Sequence, residues 1–320
     1  MQHRKFAVNS SPFCAWGWDL QKLNLECINS IDPGYFEYLA SIPSEALKTD
    51  DHKQHAALSL RAAYSHGLET FFAVLFAAIQ APDCVFGWLH KYKDQHIIKL
   101  IKSINIMQPI FSKIEMNPTS WETISNLIHG ALIFEDKQHE TQLKQHFATT
   151  WRNFADDFIN EAAREEYNSI KHGFRVAAGG FKMWVGKQDS PNVPVPPERM
   201  RSLGGSEYGS TFFVTKMVGE NRSHFSIKQL SRNWNPESFL FALNLISMSL
   251  GNILSFLKIV NGVDPTKVSF SGPIEETDFL KPWKLRPSLT GTSMEFSVAP
   301  PQTNLFSKED ILAIYKTKNE

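Results

Sequence analysis

The sequence contains little cysteine, and the few cysteines are scattered. Cys14, Cys27 and Cys84 are odd in number and widely spaced, with no CxxC pair. Disulfide frameworks and cysteine-built zinc sites need paired or closely spaced residues, so neither is predicted. We expect buried free thiols in a reducing compartment, which favours a cytoplasmic location. The segment MQHRKFAVNSSPF also lacks the apolar stretch of a signal peptide.

The chain also lacks net charge, since 33 Lys and Arg residues balance 33 Asp and Glu residues. A neutral chain does not have the overall basic character of a dedicated nucleic-acid-binding protein, although it can carry a local basic patch or pocket. Hydrophobic residues make up 42% of the 320 positions. This share excludes wholesale disorder, and the length suits one large domain or two small ones.

Common motifs of catalysis and cofactor binding are missing. The sequence has no GxGxxG after a strand, no P-loop, no HExxH and no GxSxG. His52 with His55, and His139 with His146, have spacings that could hold a metal, but neither pair has a supporting second set of ligands. We therefore predict no metal and no cofactor.

One long run lacks charged residues altogether. SFLFALNLISMSLGNILSFL, from Ser238 to Leu257, approaches the roughly 20 residues that a membrane-spanning helix needs. Polar residues recur through it, including Asn244, Ser247 and Asn252. We interpret this run as the buried central helix of a soluble protein and predict no membrane partner.

Apolar residues that recur every three or four positions predict a mainly α fold, a helical bundle of about five long helices. Pro82 ends the first of them, and Pro118 is a suitable first residue for the third. Residues 1–43 have little periodicity and are predicted to form an irregular arm, with room for a short strand. The predicted helices cover approximately 44–80, 84–105, 118–134, 137–172 and 235–261.

After Gly173 the period of the pattern changes from 3.6 to 2, which predicts a small antiparallel β insertion at about 174–232 before the last core helix. FRVAAGGFKMWVG predicts a hairpin around Gly179 and Gly180, and a second hairpin is predicted to turn near Gly219. Arg199 and Arg201, with Tyr208, Phe212 and Phe213, could bind a strand of nucleic acid, although aromatic residues in a hairpin more often belong to a core.

The predicted bundle domain, with the β insertion, covers residues 44–262. The remainder, 263–320, is rich in proline and is predicted to be an irregular segment packed on the bundle. A short helix is predicted at 307–315, with Ser307 and Asp310 as its capping pair.

The stretch EYNSIKHGFRV at the end of the fourth predicted helix combines residue types used in catalysis. Asn168 and His172 are four residues apart on one helix face, and histidine can act as an acid or a base near neutral pH, so both are candidate catalytic residues. Arg164, Lys171 and Arg175 are candidate substrate-binding residues that could hold a phosphate. The alternative remains open that this face is simply solvated and that Lys171 and His172 suit the negative end of the helix dipole.

The apolar side of the same helix contains three charged residues, Arg152, Asp156 and Glu166. Charges that become buried must be paired. Arg152 and Asp156 can pair with each other at a spacing of four, whereas Glu166 needs a partner on another helix.

The first predicted helix contains SLRAAYSHGLE, in which four residues separate Arg61 from His66. This spacing resembles the R-x(4–6)-H motif of the HEPN superfamily of small helical bundles, which commonly dimerise and include many metal-independent endoribonucleases. The resemblance implies that His66 acts as an acid or base and that Arg61 stabilises charge on the phosphate in the transition state. On a straight helix the two residues point about 140° apart. The alternative is therefore an Arg61 paired with an acid at the core and a His66 on the polar face.

The predicted function is a HEPN-like metal-independent endoribonuclease or RNA-binding effector, as in toxin or anti-phage defence systems, with RNA as a partner and a homodimer as the assembly. In this hypothesis one pocket holds Arg61, His66, Asn168 and His172. The alternative is a non-catalytic interaction or sensor protein that binds a protein partner through its β hairpins and polar helix face. The chain as a whole also resembles conserved helical proteins of bacteria.

Overall fold

A computed structural model describes the chain in seven stretches and divides it into two compact units. Unit 1 consists of Met1–Tyr167 and Trp234–Pro287, and unit 2 consists of Asn168–Asn233 and Ser288–Glu320. The protein is mainly α-helical, as the sequence predicts, and also contains antiparallel β-sheet. The described residues are 5–14, 20–49, 52–132, 136–191, 193–218, 224–297 and 307–317.

Unit 1 is built almost entirely from helices. A short hairpin, β1 (Lys5–Val8) with β2 (Ser11–Cys14), precedes them. The helices are α1 (Leu20–Ser30), α2 (Gly34–Ala46), α3 (Lys53–Gln80), α4 (Val85–Lys91), α5 (Asp94–Asn105), α6 (Trp121–Ile128), α7 (Lys137–Ile159), α8 (Glu161–Lys171), α9 (Pro236–Val260) and α10 (Lys281–Lys284), and the last four residues of α8 belong to unit 2.

The core of unit 1 forms where α3 and α9 pack together, with α2 against both of them. Aromatic rings fill the space on the α7 side of α3. The ring of Phe71 lies 5.7 Å from both Trp151 and Phe154, and all three side chains are completely buried. Large rings bury much apolar area per residue, so this cluster is a main source of stability for the unit.

Both α3 and α9 are long and apolar enough to cross a membrane, judged by length and composition alone. Their most apolar windows are 78% and 72% buried inside the protein, as in the core helices of soluble proteins. The run from Ser238 to Leu257 lies within α9, which begins with Pro236 and is capped by Asn235, whose side chain accepts a hydrogen bond from the Glu237 N–H. The buried central helix predicted there is present.

The finer prediction of about five long helices is not matched. Among the described residues, three helices exceed 20 residues, namely α3, α7 and α9. The second predicted helix is interrupted at Tyr92 and Lys93, and the fourth is interrupted at Asn160, because the backbone is extended there. The Asn160 side chain then accepts a hydrogen bond from the Ala163 N–H and so starts α8.

Three predicted boundaries also need correction. The first long helix begins at Lys53, after α2 has ended at Ala46, and not at residue 44. The third begins at Trp121, because the hydroxyl of Ser120 caps it by accepting from the Thr123 N–H, and Pro118 lies outside it. The amino-terminal arm is not irregular: its described residues form the β1–β2 hairpin and two helices, α1 and α2.

Unit 2 contains two antiparallel sheets. The larger has four strands in the order β3, β6, β7, β8, and the smaller pairs β4 with β5. The strands are β3 (Val176–Ala178), β4 (Lys182–Val185), β5 (Arg201–Gly205), β6 (Gly209–Val218), β7 (His224–Asn233) and β8 (Gly291–Ser297).

The predicted hairpin around Gly179 and Gly180 is wrong. The strands on either side of these glycines pair with other strands, β3 with β6 and β4 with β5. The second predicted hairpin is confirmed in its strands, since β6 pairs with β7 along ten residues, while its turn at 219–223 lies outside the described residues. Alternation of apolar residues identifies strands but not their partners, and this explains the first error.

The carboxy-terminal segment is less irregular than predicted. Strand β8 joins the larger sheet next to β7, and α11 (Lys308–Thr317) follows. The predicted capping pair is confirmed, because the Ser307 hydroxyl accepts from the Asp310 N–H at 3.1 Å and the Asp310 carboxylate accepts from the Ser307 N–H at 2.9 Å.

One face of the larger sheet is uncharged. Residues that pair directly across neighbouring strands lie on the same face, so the register identifies which residues of β6, β7 and β8 share this face. We call it the uncharged face; it carries Thr211, Phe213, Thr215, Ile227, Gln229, Ser231, Thr292, Met294 and Phe296.

Candidate functional site

Arg61 lies in a buried hydrogen-bonded cluster of unit 1. Its Nε donates to Glu166 Oε2 at 2.8 Å, its Nη1 donates to the Ser65 hydroxyl at 2.6 Å and its Nη2 donates to the Ala163 carbonyl at 3.2 Å. The second carboxylate oxygen of Glu166 accepts from Trp234 Nε1 at 2.8 Å. Arg61 is 4% exposed and Glu166 is completely buried. The cluster is therefore a buried ion pair with most of its polar atoms satisfied.

A second buried group lies beside Arg61. The Tyr64 hydroxyl donates to Asp157 Oδ2 at 2.6 Å, and the guanidinium of Arg286 forms an ion pair with the same oxygen. Burial raises the pKa of Tyr64 well above its ordinary value, and the negative charge of Asp157 raises that pKa further. Tyr64 thus stays protonated and acts as a donor.

Residues of these two groups lie next to each of the three positions where the chain passes from one unit to the other. The chain leaves unit 1 after Tyr167, returns at Trp234 and leaves again after Pro287. Glu166, Trp234 and Arg286 are each within one residue of such a point. Within unit 1, buried hydrogen bonds hold Glu166 and Trp234 next to two of these points, and the ion pair of the exposed Arg286 with Asp157 lies next to the third.

The contacts of Arg61 agree with its alternative interpretation, an arginine paired with an acid at the core. Glu166 has the partner on another helix that its buried position requires, and that partner is Arg61. A phosphate could reach the guanidinium only if these bonds were broken. In this arrangement the guanidinium of Arg61 is held by Glu166, Ser65 and the Ala163 carbonyl, and a catalytic role for it stays a prediction.

His66 has other neighbours. Its exposed side chain meets the rings of Tyr35 and Phe36 on α2 edge-on, at 6.3 and 5.5 Å between centroids. Helix α3 continues through Gly67 without a break. The two residues contact different helices, α2 and α8, and a shared catalytic role for them remains a prediction.

The segment from Asn168 to Arg175 is a well-formed helix end. The His172 N–H donates to the Asn168 carbonyl at 2.9 Å, and the Arg175 N–H donates to the Ser169 carbonyl at 2.7 Å. Gly173 adopts φ +93°, the left-handed conformation that favours glycine after a helix. Asn168, Lys171, His172 and Arg175 are all exposed on unit 2.

The other charged residues of the fourth predicted helix are divided between α7 and α8 by the break at Asn160. Arg164 belongs to unit 1 and is half-buried, and its N–H donates to the Asn160 carbonyl. Arg152 and Asp156 are exposed on α7, not buried as their wheel position predicted, and Asp156 accepts a hydrogen bond from Asn105. Because α7 and α8 are separate helices, a single wheel does not place their residues correctly.

The predicted absence of a metal site stays a prediction. His139 and His146 lie on one side of α7, 3.8 and 3.7 Å from the two carboxylate oxygens of Glu276. The rings of His52 and His55 lie 6.5 Å apart. Across the described stretches, no group of three or more His, Cys, Asp or Glu residues is arranged to hold a metal ion.

Among the described histidines, His129 has the most strongly perturbed pKa, and no sequence motif indicated it. Its Nδ1 lies 2.9 Å from the Ser125 carbonyl and its Nε2 lies 3.1 Å from Asn252 Nδ2. These partners fit the neutral ring with its proton on Nδ1. Burial, aided by the positive charge of Lys144, lowers the pKa of His129 to about 4. The sequence signal for the burial of His129 was its position one residue after Ile128 at the end of an apolar helix.

Basic residues are concentrated in unit 2. It holds 13 Lys and Arg against 8 Asp and Glu, whereas unit 1 holds 20 against 25. The segment Asn168–Asn233 alone has ten basic and four acidic residues. A neutral chain thus contains a basic unit and an acidic unit, and this is the local excess of charge that a nucleic-acid-binding surface needs.

The smaller sheet of unit 2, which we call the ribbon, carries exposed basic and aromatic residues. All four residues of β4 are exposed, and Trp184 is 56% exposed. Lys182 and Trp184 are two apart on the strand and so share a face, while Arg201 pairs with Val185. Leu203 is the extra residue of a bulge, next to Gly204 with φ +118°.

The base of the ribbon is tied to the rest of unit 2 by Asn233. Its side chain accepts from the Phe181 N–H at 2.8 Å and donates to the Phe181 carbonyl at 2.9 Å and to the Leu289 carbonyl at 3.0 Å. Two-stranded ribbons are marginal by themselves. This buried amide therefore holds Trp184 and its neighbours on a fixed support.

Comparison of the chain with protein-family models, with curated proteins and with solved structures gives no match. The functional argument therefore rests on the residues and their geometry.

Proposed function

We propose that this protein binds single-stranded RNA through the ribbon of unit 2. The observation that carries the proposal is the exposed Trp184 with Lys182 on the same face of the ribbon, within the basic unit of a neutral chain. Sequence-tolerant recognition of single strands combines cationic side chains for the phosphates with aromatic rings on which bases stack.

The other exposed cations of unit 2 fit the same chemistry. Lys171 and Arg175, predicted from sequence as substrate-binding residues, are exposed at the end of α8, and the ring of Phe174 between them is also exposed. Arg199 is exposed as well but forms an ion pair with Asp189. Arg201 pairs with Val185 and so lies on the face of the ribbon opposite Trp184. We therefore assign Lys182, which shares a face with Trp184, as the principal phosphate contact.

The proposal does not extend to cleavage by Arg61 and His66. The guanidinium of Arg61 donates to Glu166, Ser65 and the Ala163 carbonyl, and so it is not presented to a substrate. An RNA-binding effector without this chemistry remains within the function predicted from sequence, and it makes the absence of cleavage an expected result.

Binding is tested by fluorescence anisotropy with labelled RNA and DNA strands of one sequence, at about 50 and about 200 mM salt. We expect Trp184→Ala to weaken RNA binding by about 5- to 150-fold, since stacking contributes about 1–3 kcal/mol per base. Trp184→Phe should retain most of the affinity. Lys182→Glu should lower the affinity and flatten its dependence on salt, because a phosphate contact is lost.

Lys102→Glu is the matched control, because Lys102 is exposed on α5 in unit 1 and the change in charge is the same. Equal losses for Lys102→Glu and Lys182→Glu would sink the proposed interface. No binding of either strand would instead favour a protein partner. The same mixtures, kept in EDTA and run on a gel, should contain intact RNA. Cleavage that His66→Ala or His172→Ala abolishes would reinstate the nuclease hypothesis.

A further inference from the structure

Strand β8 forms one edge of the larger sheet of unit 2. Within the described residues it pairs on one side, with β7, along all seven of its residues. Its residues from Gly291 to Phe296 are exposed. The other side of β8 thus offers a row of backbone N–H and C=O groups for a further strand.

The two edges of this sheet differ in how they resist pairing. At the opposite edge, β3 has only three residues and follows directly after Arg175 and the left-handed Phe174. Short length, cationic residues and proline are the usual protections of an exposed edge. β8 has seven residues, no Lys, no Arg, no Pro and a regular register with β7. The β8 edge therefore lacks these protections and is suited to pairing with a further strand.

The sequence of β8 is compatible with pairing to its own copy. In an antiparallel pair related by a two-fold axis at Met294, each Glu295 lies opposite Ser293 of the other copy, and all seven residues are paired. An axis at Glu295 would place two like charges opposite each other, which is destabilising. An axis between two residues would bring opposite faces together. The register at Met294 therefore combines the largest overlap with no repulsion.

This register also extends the uncharged face. Thr292, Met294 and Phe296 lie on the same face as Phe213 of the central strands. Across the two-fold axis, Met294 meets its own copy and Thr292 meets Phe296 of the other chain, so exposed apolar side chains would gain contacts that they lack in one copy.

We propose that two copies of this chain associate through their β8 strands, which join the two larger sheets into one continuous eight-stranded sheet. The proposal stands independently of RNA binding, and it is tested without nucleic acid.

Light scattering coupled to size-exclusion chromatography should give twice the 36.4 kDa mass of the chain at concentrations of tens of micromolar. Met294→Glu and Met294→Lys should each give the mass of one chain, because like charges would face each other at the axis. An equimolar mixture of the two variants should return to twice that mass, because opposite charges then face each other.

Ala177→Glu is the matched control, since Ala177 is exposed on the opposite edge strand β3 and should leave the dimer intact. Met294 is itself 56% exposed, so its charged variants should fold, and far-ultraviolet circular dichroism checks this. The proposal is overturned if the wild type is a single chain, if Met294→Glu leaves the dimer unchanged, or if the mixture stays at the mass of one chain.

Discussion

Replacing Glu166 by alanine should lower the free energy of unfolding by about 3–5 kcal/mol, since removal of one partner leaves the other charge buried and uncompensated. Glu166 accepts from Arg61 and Trp234, and the ion pair is almost completely shielded from solvent. The loss is measured by urea unfolding followed by circular dichroism, with an unchanged slope as the sign that the native state is intact.

Glu45→Ala is the matched control for this prediction. Glu45 also forms an ion pair at 2.6 Å, with Lys48, but both side chains are exposed. Such exposed pairs contribute about 0–1 kcal/mol, so the control should change little. A double variant, Arg61→Leu with Glu166→Leu, should recover much of the loss because it removes both charges. Equal effects of Glu166→Ala and Glu45→Ala would contradict a structural task for the pair.

Acidification from pH 7 to pH 4 should cost the wild type about 3 kcal/mol more stability than it costs a His129→Gln variant. The pKa of His129 is about 4 in the folded protein and 6.5 ordinarily. Between these values the unfolded chain binds the proton and the folded one does not, so stability is full above pH 6.5 and falls toward pH 4. A difference of about 2.5 pKa units at 1.36 kcal/mol each gives the magnitude.

The glutamine supplies a side-chain amide that can hydrogen-bond to Asn252 and Ser125 but does not titrate. The difference in stability between the two proteins therefore reports the titration of His129 and not that of the carboxylates. Unfolding free energies at several pH values measure it. His55→Gln is the control, since the side chain of His55 is exposed, and this variant should follow the wild-type profile. Parallel pH profiles for wild type and His129→Gln would contradict a neutral, buried His129.

The elements that were predicted correctly from the sequence are those with strong local signals at their ends. Asn235 and Pro236 identify the start of α9, and Ser307 with Asp310 identifies the start of α11, because capping chemistry is contained in a few adjacent residues. The interruption at Asn160 was missed because no glycine or proline stands there and the apolar pattern continues past it. Its extended backbone is visible only in the structure.

Contacts between distant residues limited the prediction of the site. The sequence indicated that Glu166 needs a partner, but 105 positions separate it from Arg61, and no periodicity connects them. The base of the ribbon is held by Asn233, which lies 52 positions after its partner Phe181. The ribbon with Trp184 therefore could not be recognised as an exposed basic surface before its strand partners were known.

The discontinuity of unit 2 has a consequence for biosynthesis. The sheet takes its first three strands from one segment and β8 from another, and the whole of α9 is translated between them. Chains fold from the amino terminus as they emerge, so the edge of β7 stays uncovered until α9 and then β8 have left the ribosome. A message truncated after α9 would yield a chain with that edge permanently open, and such a product should be prone to aggregate and be removed by proteolysis.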